Sequence, residues 1–443
     1  MTYSTGADRV IAATEADTVY RKIFWRIMPI LFISYCIAFL DRVNVGFVKL
    51  EMGQSIGMDP AQFGFAAGIF FISYALLELP SNMLFERLGA RKTFLRIMLL
   101  WGIVVVLTAF VQTPVQFYIM RLLLGVFEAG FFPGMILYLS YWFPSERRAR
   151  ATATVFLANA LASTIVGPLS GAIMTWGNGM GGMEGWRWVF VIEGIPACIM
   201  GLVCFFCLAD RLETASWLSP RERAIVAADL GADQAAPRVS AHGRGAVLSV
   251  LSDPRIYLLS FIYFCATCAN YLFNFWLPTL IQDGGVSKIM NIGLLNAIPM
   301  LAGILGLLVM NFSSDYLRDR RWHLAVAFLL ASVGLFFSAQ TGNFAASLAL
   351  LCLANFGVTA IGPLFWTLPP TYLDAQRAPA GIAVISMLGI FAGFVSPMIF
   401  GQIKEHTGSL NAGLDLIAVA MLFCVVLVLF VIPKAALRVG RDR

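Results

Sequence analysis

The sequence predicts an all-α polytopic membrane protein of twelve transmembrane helices, built as two six-helix bundles in a parallel pseudo-twofold repeat. Of its 443 residues, 59% are hydrophobic and only 13% are charged, which is unlike a soluble protein of this length. Apolar runs of about 20 residues, enough to cross roughly 30 Å of hydrocarbon, recur from end to end. A pattern of residues also returns at one fixed offset, which indicates a duplication.

The apolar runs define the twelve predicted spans. The first 20 residues are mixed in polarity and lack the pattern of a cleavable signal peptide, so we expect the first span to remain as an anchor. The spans are 25–47, 62–84, 93–112, 116–140, 151–176, 187–209, 256–280, 291–313, 322–340, 346–370, 379–403 and 411–433.

The distribution of Lys and Arg predicts the orientation. With both termini in the cytoplasm, the cytoplasmic segments hold 25 of the 31 basic residues, the outer loops hold four, and two lie within spans. Such a bias is the positive-inside signature of a plasma-membrane protein. We therefore attribute the net charge of +6 to topology and expect no nucleic-acid partner.

A long polar stretch divides the spans six and six, and predicts the domain organisation. We expect an N-terminal six-helix bundle (1–209) with a short cytoplasmic N-terminus, a cytoplasmic central linker (210–255), and a C-terminal six-helix bundle (256–443) with a short cytoplasmic tail. Within the linker, Ser219-Pro220-Arg221-Glu222 fits a capping box with Pro at the first helical position. The following residues, 224–230, therefore predict a short surface helix.

The two halves repeat the same residues at an offset of 229 positions. The matching pairs are Asn82 and Asn311, Glu86 and Asp315, Leu88 and Leu317, Arg91-Lys92 and Arg320-Arg321, Arg148-Ala149 and Arg377-Ala378, Val166 and Val395, and Pro168 and Pro397. Six spans followed by six more give halves related by an axis along the membrane normal. Such halves usually enclose a central site near the midplane.

The repeated loops, "FERLGARK" (85–92) and "SDYLRDRR" (314–321), each place an acidic residue at a helix end before basic residues. An ion pair or helix-end interaction there can hold adjacent helices in one state and release them in another. The alternative is ordinary positive-inside charge, which does not explain the same acid-to-base spacing twice. The predicted gating-loop residues are Glu86, Arg87, Gly89, Arg91, Lys92, Asp315, Arg320 and Arg321.

With these motifs the chain resembles transporters of the major facilitator superfamily, and within it the anion:cation symporter family. The resemblance covers essentially the whole chain, and implies the major facilitator fold and alternating access. That family includes carriers of tartrate, phthalate, hexonates and hexuronates, which implies a bacterial cytoplasmic membrane. The residues that carry it are "FLDRVNVG", "ELPSNMLFERLGARK", "RLLLGVFEAGFFPG", "WFPSERRARA", "GWRWVFVIEGIPA" and "FWLPTLI".

Four charged residues inside the first-half spans are the strongest functional candidates. Burying each costs several kcal/mol, so they should face the protein interior and pair. We predict that Arg42 and Arg121 bind a carboxylate substrate, and that Asp41 and Glu128 take protons, because burial favours the neutral form of a carboxylate. The resemblance implies the same roles for these residues. A fixed ion-pair staple is the structural alternative, although buried pairs stabilise poorly.

The second half has no matching charges, since the equivalents of Asp41, Arg121 and Glu128 are Asn270, Leu350 and Gly357. We therefore expect that half to supply shape and hydrogen bonds to the substrate. Tyr74 and the aromatic residue of span ten resemble positions that hexonate carriers use for substrate. Ordinary helix packing is the alternative for each of these residues. The candidates are Tyr74, Asn159, Asn270, Tyr271, Asn274, Trp366 and Thr367.

Span eleven departs from the family pattern. Tartrate-like members usually carry two Asn near the positions of Ser386 and Ile390, whereas this chain has "GIAVISMLGIFAGF" (381–394). We place Ser386 among the substrate-binding candidates. The loss of two amides makes the site less polar, which disfavours tartrate itself and leaves room for an aromatic or less hydroxylated acid.

Other functions find little support in the sequence. "GNGMGG" (177–182) lies in a predicted outer loop without the strand–helix context of a dinucleotide site, and no nucleophile–base constellation indicates an enzyme. The eight cysteines all fall in spans and predict neither a disulfide framework nor a zinc site. We therefore expect no metal and no cofactor other than protons as the coupling ion.

Three function classes remain open. The first is proton-coupled symport, in the direction of uptake, of a small organic carboxylate, either a tartrate-like sugar acid or an aromatic acid. The second is an organic-anion exchanger or uniporter without proton coupling. The third is a non-transporting membrane sensor, although the tails are short for a signalling domain. We expect a monomer whose partners are the substrate anion and the bilayer.

Overall fold

A computed structural model describes residues 6–235, 252–373 and 378–433 of the chain. Three features predicted from the sequence lie outside these residues: the middle of the central linker (236–251), Arg377 of the repeat, and most of the short C-terminal tail (434–443). Within the described residues the secondary structure is helical throughout, with short turns between helices.

Eight helices form the first half. They are α1 (Gly6–Val43), α2 (Val45–Ile56), α3 (Pro60–Leu88), α4 (Ala90–Thr108), α5 (Pro114–Glu128), α6 (Phe131–Ser140), α7 (Ser145–Gly177) and α8 (Gly185–Cys207). Helices α1 and α2 follow one another as one span, and so do α5 and α6.

The linker helix and the second half follow. They comprise α9 (Pro220–Ala235), α10 (Pro254–Asp283), α11 (Ile289–Leu317), α12 (Arg321–Gln340), α13 (Phe344–Trp366), the single turn α14 (Pro369–Tyr372), α15 (Ala378–Thr407) and α16 (Asn411–Val426), which continues as a π-helical turn (Leu427–Val431).

Eleven helical segments of the described chain are long and apolar enough to cross a membrane. Helix α4, with 19 residues, corresponds to the third predicted span and carries Arg91, Lys92 and Arg96 near its start. The predicted fold class of twelve helices in two bundles is therefore confirmed. Several helices exceed the predicted spans at both ends; the first runs over Thr14–Ile56 against a predicted 25–47.

Local sequence explains where several helices start. Asp59 caps α3 by accepting a hydrogen bond from the Gln62 amide at 2.7 Å, and Pro60 is the first helical residue. Thr113 and Asn343 cap α5 and α13 in the same manner. These side chains accept from backbone N–H groups that have no partner within the helix, which stabilises each helix start.

The linker helix α9 packs at the end of the bundle near the N-terminus, which we call the terminal face. Lys22 binds Glu222 at 2.8 Å and Arg221 binds Glu15 at 2.7 Å. The predicted capping box is present, since the Glu222 carboxylate accepts from the Ser219 amide and the Ser219 hydroxyl accepts from the Glu222 amide. The Lys22 hydrogen bond is the largest influence on Glu222 and lowers the pKa of its carboxyl group.

The two halves approach most closely toward the other end, which we call the opposite face. A Cβ placed on Gly64 of α3 would lie 2.3 Å from the Pro397 carbonyl oxygen of α15, and one on Gly167 of α7 would lie 2.6 Å from the Gly293 carbonyl oxygen of α11. Gly46 of α2 meets the α10 backbone in the same manner. Glycine is required at these crossings because no side chain fits between the helices.

Candidate functional site

The fourth span is broken at the centre of the candidate site. Helix α5 ends at Glu128, Ala129 leaves the helical conformation, and Gly130 has φ +83° before α6 begins. A Cβ on Gly130 would lie 2.6 Å from the Ser81 hydroxyl of α3, so both its backbone angle and its contact favour glycine. The sequence predicts one continuous span here (116–140); the break instead places Glu128 at a helix end inside the bundle.

Glu128 forms an ion pair with Arg42 of α1. The Glu128 side chain is 1% exposed and that of Arg42 is 15% exposed. The Arg42 guanidinium carbon also lies 5.2 Å from the ring centroid of Phe70 and 5.4 Å from that of Tyr74, both on α3. A cation held by one carboxylate and two ring faces is partly compensated even where water is excluded.

Arg121 of α5 also contacts Phe70, with its guanidinium carbon 5.0 Å from the centroid of that ring. The residue is 2% exposed. Its Nε donates to the Ala66 carbonyl oxygen at 3.4 Å, while both terminal nitrogens lack a hydrogen-bond partner among the described residues. Arg121 is therefore a buried cation with donors free for an anion.

Asp41, the residue before Arg42, has different neighbours. Its Oδ2 accepts a hydrogen bond from the indole Nε1 of Trp101 on α4 at 2.7 Å, and its Oδ1 has no hydrogen-bond partner in the described part of the chain. Asp41 is 2% exposed and interacts electrostatically with Arg121, Glu128 and Glu193. The site therefore pairs Arg42 with Glu128, and gives Arg121 and Asp41 no ion-pair partner within the described part of the chain.

Tyrosines from both halves surround Arg42. Tyr35, Tyr74 and Tyr271 each interact electrostatically with its guanidinium group. Tyr271 belongs to α10 of the second half, and its ring lies 4.7 Å from that of Phe71 on α3. The predicted residues Tyr74 and Tyr271 are thus brought together at the charged site.

Asn159 of α7 reaches the same region, because its side chain lies near the Tyr35 hydroxyl group. Two other amides predicted for substrate bond to each other: Asn274 Nδ2 donates to Asn270 Oδ1 at 2.8 Å and to the Asn270 carbonyl oxygen at 2.9 Å. The Asn274 backbone also forms the contact with Gly46. In this arrangement Asn274 contributes to the contact between the halves, whereas Asn270 is half-buried.

The remaining second-half candidates lie nearer the terminal face. Trp366, at the end of α13, packs 4.8 Å from the ring of Tyr263 on α10, and the Thr367 hydroxyl donates to the Leu364 carbonyl oxygen at 2.7 Å. Ser386 of α15 is half-buried, one turn before Gly389, whose Cα faces the Tyr263 ring. Tyr263 lies near Tyr35 of the first half, which links these residues to the charged site.

The sequence analysis did not single out Tyr35, Phe70, Trp101 or Tyr263 as site residues. In a chain with 36 Phe, 12 Tyr and 10 Trp, an aromatic residue in a span is uninformative by itself. Spacing could have found one of them, because Phe70 lies four residues, or one helical turn, before Tyr74. Trp101 offered no signal until the partner of Asp41 was known.

The two repeated loops differ in their contacts. In the second loop Asp315 pairs with Arg320, as the sequence analysis expected. In the first loop Glu86 is exposed and forms no ion pair within the described chain; instead Asp210, after α8, accepts from the Arg91 amide at 2.9 Å. A Cβ on Gly89, where φ is +79°, would lie 2.7 Å from the same carboxylate. The first loop is thus attached to α8 of its own half.

Comparison with known proteins shows which family the sequence of this chain matches. The sequence model of the Major Facilitator Superfamily matches residues 31–397. A protein of Agrobacterium vitis named "Putative tartrate transporter" is 42% identical over 97% of this chain and 95% of its own length. The "Putative metabolite transport protein NicT" of Pseudomonas putida is 38% identical over 93% of this chain and 94% of its own.

Solved structures share the fold at low sequence identity. The D-xylose–proton symporter superposes with a TM-score of 0.74 at 14% identity, covering 93% of this chain and 98% of that one. A bacterial homologue of the human lysosomal transporter Spinster, in an inward-facing and unoccupied conformation, superposes with a TM-score of 0.70 at 17% identity, covering 94% and 96%.

Proposed function

We propose, from the premise that this chain belongs to the major facilitator superfamily, that it is a secondary active transporter that takes up a small organic carboxylate together with protons. The observation that carries this proposal is the buried Arg42–Glu128 ion pair, beside which Arg121 and Asp41 have no ion-pair partner among the residues that the structure describes. Protons are the coupling ion, and the substrate enters the site by alternating access.

The energetics of the ion pair link the proton to the anion. When Glu128 takes a proton, Arg42 becomes an uncompensated buried cation, and removing one partner of such a pair costs about 3–5 kcal/mol. Binding of a carboxylate to Arg42 offsets that cost. Because roughly 1.4 kcal/mol corresponds to a tenfold change in population, the state with only one of the two ligands is rare. Proton and substrate therefore bind and leave together.

The neighbouring residues support an anion with an apolar or aromatic body. Arg121 offers two free nitrogens for a carboxylate, and the rings of Phe70, Tyr74 and Tyr271 lie beside the cations. The names of the relatives point to organic acids, with tartrate among them. The apolar character of span eleven at Ser386 and Ile390 favours a less hydroxylated acid than tartrate.

The proposal places the protein in the plasma membrane of a bacterium with both termini, and hence the terminal face, in the cytoplasm. The domain organisation is kept as predicted: bundles at 1–209 and 256–443 joined by the cytoplasmic linker 210–255. Asp315 with Arg320, and Arg91 with Asp210, are then cytoplasmic contacts. These contacts hold helix ends that we propose to separate during the cycle.

The decisive test is transport in liposomes that contain a pH-sensitive dye. Tartrate, galactonate, glucarate, phthalate and 4-hydroxyphenylacetate are added singly to wild type, Asp41→Asn and Glu128→Gln. We expect one acid to acidify the interior of wild-type vesicles. Both variants should abolish the acidification, because each replaces a proposed proton carrier by a neutral amide.

Glu184→Gln is the matched control, because Glu184 is an acid at the start of α8 outside the span. It should acidify vesicles as wild type does. If labelled acid enters active wild-type vesicles without any proton movement, symport is wrong and the protein is an exchanger or uniporter. If none of the acids enters, the proposed substrate class is wrong.

A further inference from the structure

A third buried acid lies in the first half, in addition to Glu128 and Asp41. Glu193 belongs to the stretch "VIEGIP" within the membrane helix α8, and it is 4% exposed. Its Oε2 accepts from Asn44 Nδ2 at 2.6 Å, and its Oε1 accepts from the Ser170 hydroxyl of α7 at 3.3 Å. Among the residues that the structure describes, no Lys, Arg or His forms an ion pair with it.

The hydrogen bonds around Glu193 are incomplete. Asn44 is fully buried, yet its Oδ1 has no donor among the described residues. An unsatisfied buried acceptor costs about 1–3 kcal/mol. A proton on Glu193 supplies a donor of the kind that Asn44 Oδ1 lacks, because the O–H of a carboxylic acid donates to an amide oxygen while the amide N–H donates to the acid carbonyl oxygen.

Asp41 lies one helical turn before Asn44 on the same helix face. Its Oδ1 also has no donor within the described chain, and it interacts electrostatically with Glu193. The other charged or titratable groups around Asp41 are Arg121, Glu128 and the thiol of Cys198. Two neighbouring buried carboxylates of like charge favour a state in which one of them is protonated.

We propose that Asp41 and Glu193 hold one transported proton between them, with Asn44 as the group that retains it on Glu193. When the O–H bond at Asp41 breaks, an O–H bond forms at Glu193, and the Asn44 amide satisfies it. Glu193 thus holds the proton away from the substrate and acts on the substrate site only through Asp41. This inference rests on the proposed function, since it assigns a further residue to the proton coupling.

The test compares wild type with Glu193→Gln in the same liposomes, using the member of the acid panel that wild type transports. Exchange of labelled for unlabelled acid at equal pH requires no net proton movement, and should stay within about twofold of wild type. Accumulation driven by a pH gradient should fall roughly tenfold or more, because the proton has lost its acceptor. The pH profile of net uptake should change as well.

Ser332→Ala is the matched control, because it removes a buried hydroxyl of the second half, which donates to the Ala418 carbonyl oxygen, and no group that contacts Glu193. It should keep accumulation and the pH profile of wild type. If Glu193→Gln accumulates substrate with an unchanged pH profile, the inference is overturned.

Asn44→Ala provides a second variant if Glu193→Gln does not reach the membrane. It keeps the carboxyl group and removes the amide, so we expect accumulation to fall while exchange persists; unchanged accumulation would contradict the inference. A wild-type protein that moves no protons refutes the proposed function instead. If the wild type moves protons and Glu193→Gln accumulates substrate as the wild type does, only this inference is refuted.

Discussion

At the scale of single residues, the adjacent charges Asp41 and Arg42 have separate roles because a helix turns. Neighbouring residues on a helix point about 100° apart, so they meet different elements. Asp41 faces Trp101 of α4, whereas Arg42 faces Glu128 at the end of α5. From the sequence we expected the four charged side chains to pair; in the structure Arg42 pairs with Glu128, whereas Asp41 and Arg121 have no ion-pair partner among the described residues.

Arg42→Lys tests the role of the planar guanidinium group. Lysine keeps the charge but loses both the fork that matches a carboxylate and the flat face that packs on Phe70 and Tyr74. We expect substrate affinity, measured by concentration-dependent uptake, to fall roughly tenfold or more. Arg147→Lys is the control, since Arg147 pairs with Asp17 at the exposed terminal face. Equal affinities for all three proteins would show that charge alone suffices.

At the scale of elements, glycines decide how closely helices approach. Gly167 of α7 and Gly293 of α11 bring their backbones together, and the half-helices α5 and α6 meet at Gly130. The sequence contains 39 glycines. Only the folded structure shows at which of them an added side chain would collide with a neighbouring helix. Gly362 of α13, for example, has open space around its Cα.

Gly293→Ala and Gly362→Ala form a matched pair in membrane helices. A Cβ on Gly293 would lie 2.4 Å from the Gly167 carbonyl oxygen, so the halves must separate at the opposite face. We expect slower uptake and a lower thermal midpoint. Gly362→Ala should keep activity and raise stability slightly, because alanine favours a helix over glycine by about 0.5–1 kcal/mol. Similar behaviour of the two variants would contradict this account of the crossing.

At the scale of the whole molecule, an aromatic cage around one lysine joins the halves at the opposite face. Lys49 was counted as an outer-loop residue from the sequence, but it lies within α2. Its Nζ lies 3.4 Å from the ring centroid of Trp276 on α10 and 4.4 Å from that of Phe63 on α3. That nitrogen is buried without a hydrogen-bond partner among the described residues. The two rings and the carboxylate of Asp283, which interacts electrostatically with Lys49, therefore compensate its charge.

Lys49→Met should loosen the closed opposite face. A desolvated cation–π contact contributes about 0.5–2 kcal/mol, which corresponds to a roughly 2- to 30-fold change in the open population. The measurement is labelling of a cysteine placed at Thr279, a buried position of α10, by an impermeant thiol reagent in a background without native cysteines. Lys288→Met, at an exposed residue on the same face, is the control. Equal labelling of both variants and the parent would show that the contact of Lys49 with the two rings does not stabilise the closed opposite face.

The sequence by itself determined the spans, the two-half repeat and the set of charges in the membrane. These follow from local composition, because a bilayer of roughly 30 Å imposes length and hydrophobicity on each segment separately. The domain boundaries and the roles of the candidate residues remain predictions. The family motifs were readable for the same reason, since each occupies one short stretch of chain.

Only the tertiary structure decided which partner each charge has. Four contacts join segments that are distant in the sequence. Arg42 pairs with Glu128, and Trp101 donates to Asp41. The Arg91 amide donates to Asp210, and Asn44 donates to Glu193. These contacts depend on how each helix is rotated and where it crosses its neighbours. Rotation and crossing are set by packing between whole helices, such as the glycine contacts, and no window of sequence contains both sides of such a contact.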